Sequence, residues 1–114
     1  MSLKNMQELV QEMVNLYKIE ISPELRYIDL TSEVGELGKE LLTATRYGKE
    51  EFRTTGKTES EIGDILFSLT CIANTLGIDI EQALIGAMEK YTCRFKEKGN
   101  ITSDPLGNEK DEER

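Results

Sequence analysis

The spacing of the apolar residues constrains the fold of this chain more than any other feature. In four segments these residues recur at intervals of three and four, which is the period of a helix with one buried face. Proline, which interrupts helices, occurs only at positions 23 and 105. The sequence therefore predicts an all-α fold built from long, uninterrupted helices.

Capping residues and glycines divide the chain into four predicted helices. A capping box of Thr58 and Glu61 opens the third helix, and Gly77 closes it. A second capping box, from Asp79 to Gln82, opens the fourth. With approximate ends, the predicted helices are Leu3–Ile19, Pro23–Tyr47, Thr58–Leu76 and Asp79–Lys98.

The connections between these helices are mostly short, which favours an antiparallel bundle of the four-helix type. Residues 1–98 are predicted to form one domain, and residues 99–114 a polar, disordered tail. A domain of this size leaves much of its surface exposed. We therefore expect the bundle to be completed by homo-oligomerisation.

Composition excludes several classes of function. The net charge is −8, which argues against binding to duplex nucleic acid. The chain has no histidine, so Ser/His and Cys/His catalysis and histidine-rich zinc sites are excluded. No apolar run approaches the roughly 20 residues that span a bilayer, and residues 1–11 do not resemble a signal peptide. The two cysteines form no CxxC motif, which favours reduced thiols in the cytoplasm.

Two pairs of carboxylates carry the strongest chemical signal. Glu33 and Glu36 lie in the second predicted helix, and Glu61 and Asp64 lie in the third. Each pair has i,i+3 spacing, so both members share one flank of their helix. If the two helices pack as antiparallel neighbours, the four carboxylates converge. Such an all-oxygen cluster suits Mg²⁺, with Mn²⁺ as a possible substitute.

Each carboxylate also has a structural interpretation. Glutamates on a helix are commonly solvated, and Glu61 could serve as the N3 residue of the capping box. Asp64 is the only charged residue between Ile62 and Ile78, a segment predicted to be largely buried. A charge retained there indicates a partner such as a metal ion.

Three further residues are candidates for substrate binding. Lys90 and Arg94, spaced i,i+4 on the fourth helix, could bind phosphates or form a solvated basic face. Asn74 could read a base edge or make a buried structural hydrogen bond. Gly35 and Gly63, each inside a carboxylate pair, could allow close contact between helices or leave room for a ligand.

These motifs resemble those of the MazG-like nucleoside triphosphate pyrophosphohydrolases, whose pattern is E-E-x-x-E followed by E-x-x-D. The matching stretches are Ser32–Leu37 and Glu61–Phe67, and 24 residues separate Glu36 from Glu61. The stretch Ala83–Phe95 is similar to the family's last core helix. The resemblance covers roughly residues 25–96.

The resemblance implies a helical bundle that assembles as a homodimer or homotetramer. It implies that Glu33, Glu36, Glu61 and Asp64 hold Mg²⁺, and that a nucleoside triphosphate, often deoxy or non-canonical, is split into monophosphate and pyrophosphate. Two residues depart from the family pattern. Ser32 stands where the family has the first glutamate of its leading pair, and Met88 where it often has asparagine.

Two other functions remain open on the sequence alone. The departures at Ser32 and Met88 are compatible with a non-catalytic module of the same fold that binds nucleotides or proteins. The other is a plain helical dimerisation protein, in which the carboxylates are surface charges. It predicts that Mg²⁺ has no effect on thermal stability.

Overall fold

The computed structural model describes residues 1–99, which form four α-helices and, over those residues, no strand. The all-α prediction is confirmed. The predicted tail, apart from Gly99, lies outside the described residues. The helices are α1 (Leu3–Tyr17), α2 (Pro23–Ala44), α3 (Gly56–Leu76) and α4 (Ile80–Lys98).

Most helix ends follow the predicted capping chemistry. The hydroxyl of Ser22 accepts a hydrogen bond from the Leu25 amide at the start of α2. The carboxylate of Asp79 accepts two amide hydrogen bonds at the start of α4. Gly77 and Gly99 end α3 and α4 in the left-handed conformation, with φ values of 70° and 75°. The predicted stops at these glycines are confirmed.

Two boundaries around the connection between α2 and α3 differ from the prediction. Helix α2 ends at Ala44, because the chain turns left-handed at Arg46 and Tyr47, with φ values of 49° and 61°. Helix α3 begins at Gly56, and its N-cap is Thr55, whose hydroxyl accepts from the Thr58 amide at 3.2 Å. The predicted capping box at Thr58 is therefore wrong.

The helices pack unevenly. The most extensive contact joins α2 to α3, while α1 packs against both α3 and α4. The axes of α3 and α4 diverge by 104° across the short connection between them. Within the described part of the chain, no single helix is long and apolar enough to cross a membrane. Helices α3 and α4 taken together, although bent, have the length and composition of a membrane-spanning segment.

Few apolar side chains are buried within one chain. In residues 1–99, the buried apolar residues are Val14, Cys71 and Ala73. Leu69 and Leu76, two large apolar residues of α3, are 46% and 57% exposed. The prediction that the segment from Ile62 to Ile78 is largely buried is therefore wrong for the single chain. The buried positions of α3 carry small or polar side chains instead.

Both cysteines are free thiols, as predicted. Cys71 lies in the small core, and Cys93 is half-buried. Burial raises the pKa of the Cys71 thiol, and the nearby Arg26 guanidinium partly opposes this shift. Cys71 therefore behaves as a packing residue.

Gln7 connects α1 to the turn between α3 and α4. Its side chain is buried, donates to the Ile78 carbonyl at 2.7 Å, and accepts from the Ile80 amide at 3.0 Å. Its main-chain carbonyl accepts from the Asn74 side chain at 3.2 Å. One glutamine thus satisfies backbone groups on both sides of the bend that begins α4.

Replacing Gln7 by alanine should destabilise the fold by about 1–3 kcal/mol, because a partly buried amide and a partly buried carbonyl lose their partners. Urea unfolding, followed by circular dichroism, measures this loss. Gln11→Ala is the matched control, because Gln11 bonds only to Asn15 on the same helix. Equal destabilisation by both substitutions would contradict the role assigned to Gln7.

Candidate metal centre

Three of the four predicted carboxylates meet where α2 packs against α3. Glu33 lies in the middle of α2, and Glu61 and Asp64 lie on successive turns near the start of α3. One carboxylate oxygen from each lies within 4.8 Å of the other two. We call this group the carboxylate cluster. The i,i+3 spacing on α3 makes the cluster possible, since it places Glu61 and Asp64 on one face.

The electrostatics of the cluster are those of like charges held together. The pKa of Glu33 is raised, first by a hydrogen bond shared with Glu61 and then by partial burial. The charges of Asp64, Glu61 and Glu36 raise it further. Glu36 therefore acts on Glu33 electrostatically, although it is not one of the three residues whose oxygens converge.

One oxygen of Glu61 shows that the cluster fits a cation. In residues 1–99, Glu61 Oε2 is a buried side-chain atom without a hydrogen-bond partner. A buried carboxylate oxygen is costly unless a donor or a cation compensates it. The donor set consists of oxygen atoms alone, which hard divalent ions such as Mg²⁺ and Mn²⁺ prefer. The cluster therefore fits the predicted metal.

The structure alters the interpretation of Glu61 and Asp64. Glu61 lies in the second turn of α3, so the rival role in a capping box is removed. Asp64 is exposed within the chain, so burial does not account for its charge. Glu36 is also exposed. Asp64 belongs to the cluster because one of its carboxylate oxygens lies close to those of Glu33 and Glu61.

The glycines inside the carboxylate pairs do not serve close packing within the chain. A Cβ atom built on Gly35 or Gly63 would meet nothing within 4 Å. Close contact between helices, the structural alternative, is therefore not observed at either position within one protomer. Open space adjoins both carboxylate pairs.

The predicted substrate-binding residues lie on α3 and α4. Lys90 and Arg94 are on α4, which packs against α1, and both cations face the ring of Tyr91, at 5.4 and 5.8 Å from its centroid. Lys90 is half-buried and Arg94 is buried. The Asn74 amide donates to the Gln7 carbonyl. This is a structural hydrogen bond, the alternative to reading a base edge.

Sequence reasoning missed Glu40 and Lys57, which form an ion pair on the same helix–helix contact. Lys57 Nζ lies 3.3 Å from Glu40 Oε2. Their spacing relative to the carboxylate pairs could have indicated this contact, because both continue the same helix faces. The prediction did not include this contact, because the predicted helix began at Thr58 and left Lys57 outside it.

Known proteins are similar to this chain in sequence and in fold. The family model of the MazG nucleotide pyrophosphohydrolase domain matches residues 21–98. The uncharacterized protein YpjD of Bacillus subtilis (strain 168) is 36% identical over 101 residues, 85% of this chain and 89% of YpjD. A crystal structure of YpjD, named there as a candidate pyrophosphatase, has a TM-score of 0.67 and 37% identity over 82% of this chain and 96% of that chain. The matched family segment contains all four carboxylates.

Replacing Glu33 by glutamine should stabilise the metal-free protein near neutral pH. Because folding raises the pKa of Glu33, the folded state keeps a proton that the unfolded chain releases, and stability falls as the pH rises through that window. In EDTA, we expect the melting temperature of Glu33→Gln to exceed that of the wild type by an amount that grows as the pH rises above about 4.3, the ordinary pKa of a glutamate.

Glu12→Gln is the control for this measurement, since Glu12 is an exposed carboxylate on α1. It should follow the wild-type melting temperature across the same pH range. If the melting temperature of Glu33→Gln depends on pH in the same way as those of the wild type and Glu12→Gln, charge repulsion in the cluster does not strain the fold.

Proposed function

This chain belongs to the MazG nucleotide pyrophosphohydrolase family, and from that premise we propose that it hydrolyses a nucleoside triphosphate to the monophosphate and pyrophosphate with Mg²⁺. The convergence of Glu33, Glu61 and Asp64 within 4.8 Å is the observation that carries the proposal. Carboxylates that repel one another without a bound cation suit a site that binds metal together with substrate phosphates. The substrate is a deoxy or non-canonical nucleotide, and the role is to clean the cytoplasmic nucleotide pool.

Glu33, Glu36, Glu61 and Asp64 are the proposed metal ligands. Mg²⁺, or Mn²⁺ in its place, would neutralise the phosphate charge that develops in the transition state. The free Oε2 of Glu61 supports its place in the set. Glu36 completes the set because its charge already acts on Glu33.

The proposed reaction breaks the bond between the α-phosphorus and the oxygen that bridges it to the β-phosphorus. A water molecule attacks phosphorus, and its oxygen becomes part of the monophosphate. Glu33 is the proposed group that orients this water and accepts its proton, since it is the member of the cluster that α2 contributes opposite the two α3 carboxylates. The pyrophosphate departs with the bridging oxygen.

Lys90 and Arg94 are the proposed ligands of the departing pyrophosphate. Their i,i+4 spacing places two cations on one side of α4. Arginine offers a bidentate geometry for phosphate oxygens, and lysine a compact charge. Asn74 is left out, because its amide already bonds to Gln7.

A second copy of the chain is proposed to cover the exposed apolar faces. Helix α4 exposes Leu84, Met88, Tyr91 and Phe95 by between 43% and 60%, and they repeat along one face. The three buried apolar side chains of residues 1–99 make a small core for four helices. A homodimer or homotetramer would supply the missing burial.

One alternative function has support in the sequence. Ser32 and Met88 depart from the family pattern, and both changes would weaken substrate contacts more than metal binding. A helical module that binds nucleotides without hydrolysing them is therefore the second candidate. Hydrolysis of a nucleoside triphosphate by the folded protein distinguishes the enzyme from the binding module.

The assay that tests the activity is pyrophosphate release from a panel of canonical and modified nucleoside triphosphates, in Mg²⁺ and in EDTA. We expect release in Mg²⁺ together with the monophosphate, and none in EDTA. Folded protein that releases no pyrophosphate from any substrate would favour the binding module.

Glu36→Gln and Asp64→Asn should each abolish this turnover, because an amide oxygen does not supply the negative charge that holds Mg²⁺. Losses of about 100-fold or more are expected, with the helical circular dichroism signal unchanged. Glu59→Gln is the control, since Glu59 is exposed in the first turn of α3. Full activity in both variants would overturn the ligand assignment.

The oligomer is tested by light scattering after gel filtration. The measured mass should be two or four times the 12.9 kDa of the chain. Met88→Lys should shift the protein to lower mass, because a charge would be buried against the second copy. Gln82→Lys, at an exposed polar position of α4, should not. A wild-type monomer at micromolar concentration would contradict the proposal.

A further inference from the structure

The contact between α2 and α3 is the most extensive between the described helices, but it leaves α2 without a buried residue. The same contact contains the carboxylate cluster, whose members repel one another and raise the pKa of Glu33. A contact of this kind needs an attachment elsewhere along its length if the carboxylates are to keep fixed positions.

An ion pair supplies such an attachment between the same two helices. Lys57 Nζ, on α3, lies 3.3 Å from Glu40 Oε2, on α2. Glu40 follows Glu33 by seven residues, and Lys57 precedes Asp64 by seven. Seven residues make two helical turns, a rise of about 10.5 Å. The ion pair therefore lies on the same helix faces as the cluster, two turns away along an antiparallel contact.

Each partner is unfavourable at its position without the other. Lys57 lies in the first turn of α3, where the helix dipole disfavours a cation. The side chain of Glu40 is only 22% exposed, compared with 62% for Lys57. Without Lys57, Glu40 would add another poorly solvated negative charge to an acidic helix contact.

We propose that Glu40 and Lys57 are positioning residues, which fix the register of α2 against α3 and so set the spacing of the metal-binding carboxylates. The inference rests on the proposed function, because it assumes that the cluster binds a divalent cation. Exposed ion pairs add little to global stability. Metal affinity, in contrast, depends on ligand positions held to within a fraction of an ångström.

Positioning and simple charge make different predictions for metal binding. Through the electric field alone, Lys57→Gln would strengthen cation binding and Glu40→Gln would weaken it. If the pair sets the register, both substitutions weaken binding, because either one releases the contact. The double substitution should then be no worse than a single one, since the pair can be broken only once.

The test is the dissociation constant for Mn²⁺ of the full chain, measured from the electron paramagnetic resonance signal of the free ion. We expect Glu40→Gln and Lys57→Gln each to weaken binding by about 3- to 10-fold. The exchanged pair, Glu40→Lys with Lys57→Glu, should recover most of the wild-type affinity. Melting temperatures in EDTA should change little, which shows that each variant is folded.

Arg46→Gln and Glu50→Gln are the matched controls. These residues form an exposed ion pair at 2.8 Å after the end of α2, so the substitutions make the same charge changes away from the α2–α3 contact. Both controls should bind Mn²⁺ as the wild type does.

Two results would overturn the positioning role while the metal site stands. One is Mn²⁺ binding in the wild type with opposite effects of the two single substitutions, and the other is no effect of either. A folded wild type that binds no Mn²⁺ would overturn the proposed metal site itself. The failure of the proposed function is thereby distinguished from the failure of this inference.

Discussion

The antiparallel packing of α2 against α3 is the constraint on which the rest of the structure depends. Each helix alone presents two acidic residues on one flank, which is an ordinary solvated surface. Packing the two flanks together places oxygens of Glu33, Glu61 and Asp64 within 4.8 Å. The connection that permits this covers residues 45–55, and it contains two left-handed residues, Arg46 and Tyr47, immediately after α2 ends. The convergence of the carboxylates therefore depends on the backbone conformation of the connection between α2 and α3.

Much of the fold could be predicted from residue spacing, because helix periodicity and capping are local properties. Gly77 and Gly99 end their helices as expected. The predicted start of α3 was wrong for a local reason too, since Thr55 and Thr58 both carry a hydroxyl that can cap a helix. The structure uses Thr55. The Thr55 hydroxyl accepts from the Thr58 amide, so Thr58 is the third residue of the helix and not its cap.

The carboxylate cluster was predictable in outline, because i,i+3 pairs on two neighbouring helices have few ways to be arranged. Its internal geometry was not predictable. Nothing in the spacing separates Glu36, which stays outside the group of three, from Glu33, which joins it. Nor could periodicity show that Leu69 is 46% exposed in one chain. An apolar stripe predicts that a face will be covered, and a second chain can cover it as well as a helix of the same chain.

Within residues 1–99, three like charges and a buried carboxylate oxygen without a hydrogen-bond partner lie together at the α2–α3 contact. A fold optimised for stability alone would not pack like charges there, nor bury Glu61 Oε2 without a partner. Local conflict of this kind persists where a ligand resolves it, because the binding free energy then compensates the strain. The same reasoning explains why an ion pair on the contact matters beyond its small effect on stability. Repulsion can separate helices or slide them past one another, and a fixed point two turns away opposes both motions while leaving the carboxylates free to bind a cation.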